Sequence, residues 1–330
     1  MPSPHSQKSI QAVVGPTSSG KTELALRLAR EQDAEIISVD SRQVYQHLLV
    51  GTAKPKGQWV QQTSSPLEGE EKGGGPKYNP PSPPSPSRGE GVYLVEGIPY
   101  HLVDIWDPGL PFSAADFVRL ARDKIAEIAA RGRRPILVGG TGLYFKALIE
   151  GLAPLPPRNE AIRTALRLEA EKHGRAAMHH DLEKIDPEAA RRIPANNIQR
   201  VIRALEVFKL TGKTISRWHE EHQAAREEEF VLHAIGIDLP REELQKRIEL
   251  RCRKMIDQGM IKETSALLEH GYTADCPALT GLGYPLVIRY LRNEISRNDL
   301  LNNLIIETRQ YAKRQMTWFR HQMKVKWNGF

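Results

Sequence analysis

The sequence predicts an α/β protein, a mostly parallel sheet flanked by helices and interrupted by an all-helical insertion. Three observations carry this. The apolar run IQAVV at 10–14 passes through the glycine-rich segment GPTSSGKT into KTELALRLAREQ, whose Leu24, Ala25, Leu28 and Ala29 recur at helical spacing. Further apolar runs, EIISV at 35–39 and PILV at 135–138, read as buried strands of a parallel sheet. From about 158 to 222 the patterning is helical, without a strand-like run.

The elements follow in order. IQAVV, the glycine loop and KTELALRLAREQ read as strand, loop and helix, the P-loop NTPase-like opening. EIISV ends at Asp40 and is expected to lie beside the loop strand. SAADFVRLARDKIAEIAARG at 113–132 starts with Ser113 and Asp116 in capping-box spacing and closes at Gly132, which predicts a surface helix against the sheet. PILVGGTGLY supplies another strand running into a glycine turn. AIRTALRLEAEKHG and NNIQRVIRALEVFKLTG build the helical insertion; VLHAIGID at 231–238 returns to strand character. REELQKRIELRCRKMIDQG and a stretch over roughly 299–322 close the chain as helices. The core is thus expected at 1–153 and 223–330, around an insertion at 154–222. Residues 64–91 hold 18 Pro, Gly or Ser among 28 and only Leu67 and Tyr78 for burial, so they are expected to be disordered.

Composition excludes several classes. Hydrophobic residues are 40% and charged residues 26%, ordinary for a soluble globular chain. MPSPHSQKS has no apolar signal core, and no window approaches the roughly 18 consecutive apolar residues of a membrane span, so a cytoplasmic protein without membrane contact is expected. Cys252 and Cys276 are too few for a disulfide framework and too far apart for a metal pair. The net charge of +7 suits a polyanionic partner.

The loop at 15–22 satisfies G-x-x-x-x-G-K-[ST]. Gly15, Pro16, Thr17, Ser18, Ser19 and Gly20 would wrap phosphates, Lys21 would neutralise them, and the Thr22 hydroxyl would face a magnesium ion. Alone, such a loop reads as nucleotide-binding, with ATP the usual cargo. Asp40 sits at a strand end within reach of that cargo, as a metal-water ligand, a general base or merely a turn cap. Arg251 follows Arg247 by four residues on one helix face, either at the site or on a solvated basic surface. Gly139, Gly140 and Thr141 form a second glycine turn, suited to close approach by substrate or required only for geometry. Residues 308–330 carry Arg309, Lys313, Arg314, Arg320, Lys324 and Lys326, no acid and five aromatics. That mixture suits phosphate contact and base stacking, or equally an amphipathic helix with Trp318 and Phe319 in the core.

DSRQVYQHLLVGTAKP at 40–55 closely resembles the segment after the phosphate loop in tRNA dimethylallyltransferases, also called tRNA isopentenyltransferases. The resemblance extends in order through HLVDIWDPGLPFSAADF, RRPILVGGTGLYFKALIEGL, NIQRVIRALEVFKLTGKTIS, RIELRCRKMIDQG and TRQYAKRQMTWFR. Only the opening residues and the low-complexity segment fall outside it.

The resemblance implies transfer of a dimethylallyl group from dimethylallyl diphosphate to N6 of the adenosine at tRNA position 37, with release of diphosphate. By the same resemblance the glycine loop holds diphosphate, with Lys21, Thr22, Arg251 and a magnesium ion around it, and Asp40 is the general base. Implied tRNA contacts are Asp40, Ser41, Arg42 and Gln43; Thr141 and Arg163; and Gln199, Arg200, Val201, Ile202 and Arg203. They continue with Thr280, Gly281, Leu282, Gly283, Tyr284 and Pro285, then Lys313, Arg314, Gln315, Met316, Thr317, Trp318, Phe319 and Arg320. Pro285 departs from the family, which usually places a basic or larger polar residue there. The helical insertion would grip the anticodon stem, with the adenine splayed from its stack. A monomer is expected.

Three other functions fit parts of the pattern: an isopentenyltransferase for free adenine nucleotides, a small-molecule kinase, and a non-catalytic ATP-switched RNA-binding protein. The basic aromatic C-terminus and the helical insertion argue against the first.

Overall fold

The structure, a computed structural model, describes residues 8–61, 91–224 and 230–329. The segment expected to be disordered lies outside the described residues except for Gly91, which begins a strand. The chain divides into two units, Met1–Ile149 with Glu229–Phe330, and Glu150–Glu228.

In the first unit the described residues form an eight-stranded sheet. Its strands are β1 (Lys8–Val14), β2 (Ala34–Val39), β3 (Gln58–Gln61), β4 (Gly91–Val95), β5 (Ile98–His101), β6 (Arg134–Gly139), β7 (Phe230–Asp238) and β8 (Val325–Gly329). They stand in the order β3-β4-β5-β2-β6-β1-β7-β8. From β5 to β8 every pairing is parallel, and at the other edge β4 alone is reversed, pairing antiparallel with both β3 and β5.

Alternation along the strands makes two cores. Ile10, Ala12, Val14, Ile37, Val39 and Leu137 face α2 (Ala114–Ala130) and α3 (Gly142–Glu150) through Phe117, Ile125, Phe145 and Leu148. Val13, Ile36, Ile136 and Val138 point the other way, onto Leu24, Ala25 and Ala29 of α1 (Lys21–Glu31). A fully buried side chain such as Phe145 contributes roughly 1.5–3 kcal/mol by leaving water. Ser113 caps α2 in the expected box, its hydroxyl accepting from Asp116 N while the Asp116 carboxylate accepts from Ser113 N.

The second unit is all helical: α4 (Glu160–Ile185), α5 (Pro187–Arg192), α6 (Ile198–Thr211) and α7 (Ile215–Ala224). α4 breaks at Gly174, where φ is 83°. Leu166, Met178, Leu182, Val201 and Leu205 make its core. Glu206 is fully buried and satisfied, accepting from Asn159 N at 2.7 Å and Arg203 Nη1 at 2.8 Å.

The first unit closes with α8 (Arg241–Gln258), α9 (Met260–Glu269), α10 (Tyr284–Leu291) and α11 (Arg297–Gln322). These pack with Val44, Tyr45 and Leu48 into a third core, where Cys252 and Cys276 are buried free thiols. Among the described residues no helix is long and apolar enough to cross a membrane.

Candidate active site

Val14, Gly139 and Val39 stand level across β1, β6 and β2. The chain therefore leaves all three strands at one height, with the glycine loop, Gly140 and Asp40 next in sequence. This is the carboxyl edge of the parallel sheet, where such folds place ligands. One expectation is corrected: β2 is not beside β1, because β6 lies between them. Asp40 nonetheless opens into the loop's cavity, and Gly139 is what permits the close packing. A Cβ there would lie 2.1 Å from Val39 O.

The loop between β1 and α1 holds Ser18 at φ 65° and ends on Gly20 at φ 93°, which caps α1 without a side-chain hydrogen bond. The first amides of α1 therefore point toward an incoming acceptor. Ser18 Oγ and Ser19 Oγ are buried without a hydrogen-bond partner, as ligand-binding hydroxyls would be.

These residues line a cavity of about 750 Å³. Lys21, Arg42, Arg247, Arg251 and Arg314 contribute to its wall against three carboxylates, Glu23, Asp40 and Glu307. Lys21 Nζ donates to Pro16 O at 2.5 Å. Burial, then the Arg251 guanidinium, push the Lys21 ammonium down to about 7, with Asp40 opposing. Burial also lowers Arg251, again against Asp40. Such crowded cations favour a polyanion. Asp40 Oδ1 accepts from Arg42 N at 2.8 Å and Gln43 N at 3.2 Å, so one oxygen fixes the turn and Oδ2 is left to a ligand. The cap and the site residue are the same group.

The residues expected to meet RNA divide. Ser41, Arg42 and Gln43 line the cavity, as do Thr280, Gly281, Leu282, Gly283, Tyr284 and Pro285. Arg42 Nη1 donates to Pro277 O at 2.6 Å and to Thr280 Oγ1 at 3.3 Å, tying these two segments together. Pro285 is exposed in the first turn of α10, where a missing N–H costs nothing. Thr141 Oγ1 accepts from Ser41 N at 3.3 Å. On α11, Lys313, Arg314, Thr317 and Arg320 are exposed, Met316 and Trp318 are half-buried, and Gln315 and Phe319 are buried. In the helical unit Gln199 and Arg200 are exposed, while Arg163 lies 3.9 Å from Glu206 and Arg203 is bonded to it.

Besides Gln315, four of these residues have buried side chains. Val201 and Ile202 belong to the helical core, and Phe319 meets Phe145 edge to face at 6.0 Å. Tyr284 is 1% exposed and spends its phenol on Glu263. For Val201, Ile202 and Phe319, helical periodicity turns the apolar residue inward while polar neighbours face out.

Several cavity residues were not anticipated. Tyr100 lies within β5, a strand of four residues. Leu304, Thr308 and Tyr311 line the cavity from α11 and share one helix face with the expected Gln315, at a spacing of three to four. Burial, then Asp40, push the Tyr311 phenol up to about 12. The turn at 51–53 reaches the cavity through backbone held by Glu263.

The family model described as IPP transferase matches residues 92–322, and that described as Isopentenyl transferase matches 8–65. The chain is 41% identical over 322 residues to a tRNA dimethylallyltransferase of Geobacter sulfurreducens, covering 98% of this chain and 92% of the relative. It is similar to the crystal structure of a tRNA isopentenylpyrophosphate transferase from Bacillus halodurans, with TM-score 0.63, 36% identity, and 98% and 90% of the two chains covered. A eukaryotic dimethylallyltransferase acting on tRNA shares the fold at TM-score 0.69 and 23% identity, over 97% of this chain and 74% of that one.

Proposed function

This chain belongs to the IPP transferase family, and from that premise we propose that it is a tRNA dimethylallyltransferase. It transfers the dimethylallyl group of dimethylallyl diphosphate to N6 of the adenosine 3′ of the anticodon. One observation carries this: an anion-holding loop and the Asp40 carboxylate open into one cavity whose wall has more cations than carboxylates.

The loop amides and the Ser18 and Ser19 hydroxyls receive the diphosphate, and Lys21 and Arg251 neutralise it. The allylic C1–O bond breaks with both electrons leaving on diphosphate, the charge these groups are placed to stabilise. One such preorganised donor supplies roughly 2.7–4 kcal/mol of barrier lowering in enzymes of other classes. The N6 lone pair then forms the new C1–N bond, and the N6 proton, acidic once that bond forms, passes to Asp40 Oδ2. N6-(dimethylallyl)adenosine and diphosphate result.

Thr22 fits magnesium as a hard oxygen donor lining the cavity. The described residues contain no group of three or more His, Cys, Asp or Glu able to hold a metal, which suits an ion held mainly by phosphate oxygens. When bound, magnesium supplies further charge neutralisation on the leaving diphosphate.

The RNA lies along exposed Lys313, Arg314 and Thr317 of the first unit, and exposed Gln199 and Arg200 serve the anticodon stem. The test is mass analysis of tRNA incubated with enzyme, magnesium and dimethylallyl diphosphate. A mass gain of one dimethylallyl group at that adenosine is expected; an unmodified adenosine with folded enzyme overturns the assignment.

A further inference from the structure

Gln315, 7% exposed on α11, uses both ends of its side-chain amide. Oε1 accepts from Thr17 N at 2.8 Å, and Nε2 donates to Gly140 O at 3.0 Å. One side chain thus joins the phosphate loop to the glycine turn after β6, segments 298 and 175 residues away. The next residue in that turn, Thr141, accepts from Ser41 N, beside Asp40. A continuous path of hydrogen bonds runs from the loop, through Gln315, to the turn that carries the carboxylate.

A primary amide suits both partners. Thr17 N can only donate and Gly140 O can only accept, so the bridge needs one acceptor and one donor at fixed separation. A carboxylate lacks the donor and an ammonium lacks the acceptor. Gly140 makes room: a Cβ at that position would lie 2.2 Å from Gln315 Nε2. The contact also commits the Thr17 amide, so the remaining amides of the loop are those that turn to an anion.

We propose that Gln315 is a positioning residue that fixes the phosphate loop relative to the Asp40 turn, setting the diphosphate leaving group in register with the acceptor adenine. This rests on the transferase function proposed above. A buried bridge that served stability alone would alter melting and leave ligand affinities in proportion. A positioning bridge alters diphosphate binding and turnover while RNA binding on the exposed face of the same helix is retained.

The test uses the full chain and titrates inorganic diphosphate with magnesium, alongside anticodon stem-loop binding and kcat. In Gln315→Met, diphosphate affinity is expected to fall about tenfold and kcat further, with RNA affinity within about twofold. Gln315→Glu keeps the acceptor for Thr17 but sets an oxygen against Gly140 O and a negative charge beside the loop, so it should lose at least as much diphosphate affinity as Gln315→Met. Gly140→Ala, which displaces the amide from the other side, should reproduce Gln315→Met. In a Gln315→Ala background the same glycine change should add nothing. Folded Gln315→Met or Gly140→Ala protein with diphosphate affinity and kcat within about twofold of the parent overturns the proposal, as does additivity of the pair. If the parent enzyme leaves tRNA unmodified, the transferase assignment fails, and the diphosphate titration still decides the role of Gln315.

Discussion

Tyr284 donates its phenol to Glu263 Oε1 across 2.9 Å, and the same carboxylate gathers three consecutive amides, Leu49 N, Val50 N and Gly51 N, at 2.9, 2.8 and 2.6 Å. Glu263 therefore holds the turn leading to Thr52 and Ala53 against the start of α10, and both segments line the cavity. Burial, then the Glu263 charge, raise the Tyr284 phenol well above its ordinary value, so it stays a donor.

Glu263→Gln keeps the volume but turns an NH₂ toward amide donors. It should cost roughly 1.5–3 kcal/mol of stability, against about 0.5–1.5 for Tyr284→Phe. Denaturant melts measure both. Equal stability of Glu263→Gln and parent would remove the clamp.

Lys21 sets a pH dependence. Its ammonium is held down to about 7 by burial and Arg251, and bound diphosphate raises it again. Binding then takes up a proton above pH 7, so diphosphate affinity should be level with respect to Lys21 below that pH. Above it, affinity should fall by about one log unit per pH unit. Lys21→Arg stays charged throughout and supplies the reference curve, cancelling titration of diphosphate itself. The lowered value also has a stability consequence of opposite sense. Between about 7 and the ordinary 10.5 the unfolded chain binds more protons, so this group's contribution to stability rises with pH. Calorimetric titration of Lys21→Arg and parent from pH 6 to 9 checks the slope, and parallel curves would exclude Lys21 as its source.

The α11 surface separates charge from core. Lys313 and Arg314 are exposed, whereas Phe319 is fully buried against Phe145. Replacing either basic residue by Gln should weaken RNA binding and reduce the slope of log affinity on log salt by about 0.7–0.9. Phe319→Ala should leave that slope unchanged and cost about 3–5 kcal/mol of stability. Salt titrations with anticodon stem-loop RNA, paired with thermal melts, distinguish the two. A lowered slope in stable Phe319→Ala would return that ring to the RNA face.

Much of the sheet was legible because its central strands are continuous apolar runs ending on polar or glycine residues. EIISV and PILVGG announce both the strands and the turns that follow. The edge was not: β3, β4 and β5 are four or five residues long, and β3 is mostly exposed, too short for a period to stand out. Strand neighbours were also hidden. Nothing local in EIISV says that β6 will enter between it and β1, because that order comes from long-range pairing. At the site, the loop and Asp40 could be named from type and spacing. Resemblance marked residues 313–320 as one RNA-facing block, whereas the helix turns Gln315 and Phe319 inward and Lys313 and Arg314 outward. Block similarity carries no face; a 3.6-residue period does. Glu263 carries no motif, and its role follows only from the fold bringing 49–51 to it.

Asp40→Asn isolates the proton acceptor. Oδ1 fixes its own turn by accepting from Arg42 N and Gln43 N, and an asparagine carbonyl can accept the same two bonds. The turn, the Ser41–Thr141 contact and the cavity wall should persist, so loss of activity reports on Oδ2. At that atom the carboxylate can take a proton, whereas the amide NH₂ cannot and would face the adenine amino group donor to donor. We expect kcat at saturating substrates to fall about 10²–10⁴-fold, with stem-loop affinity within about threefold of the parent, since most RNA binding energy is electrostatic and remote from Asp40. Asp40→Ala removes the turn's acceptor too, so it should additionally lower the melting temperature. Single-turnover rates with radiolabelled dimethylallyl diphosphate, compared with filter binding of the stem-loop, separate the effects. Near-parent turnover in Asp40→Asn would rule out Asp40 as the base, and a parallel fall in rate and RNA affinity would make it a binding residue instead.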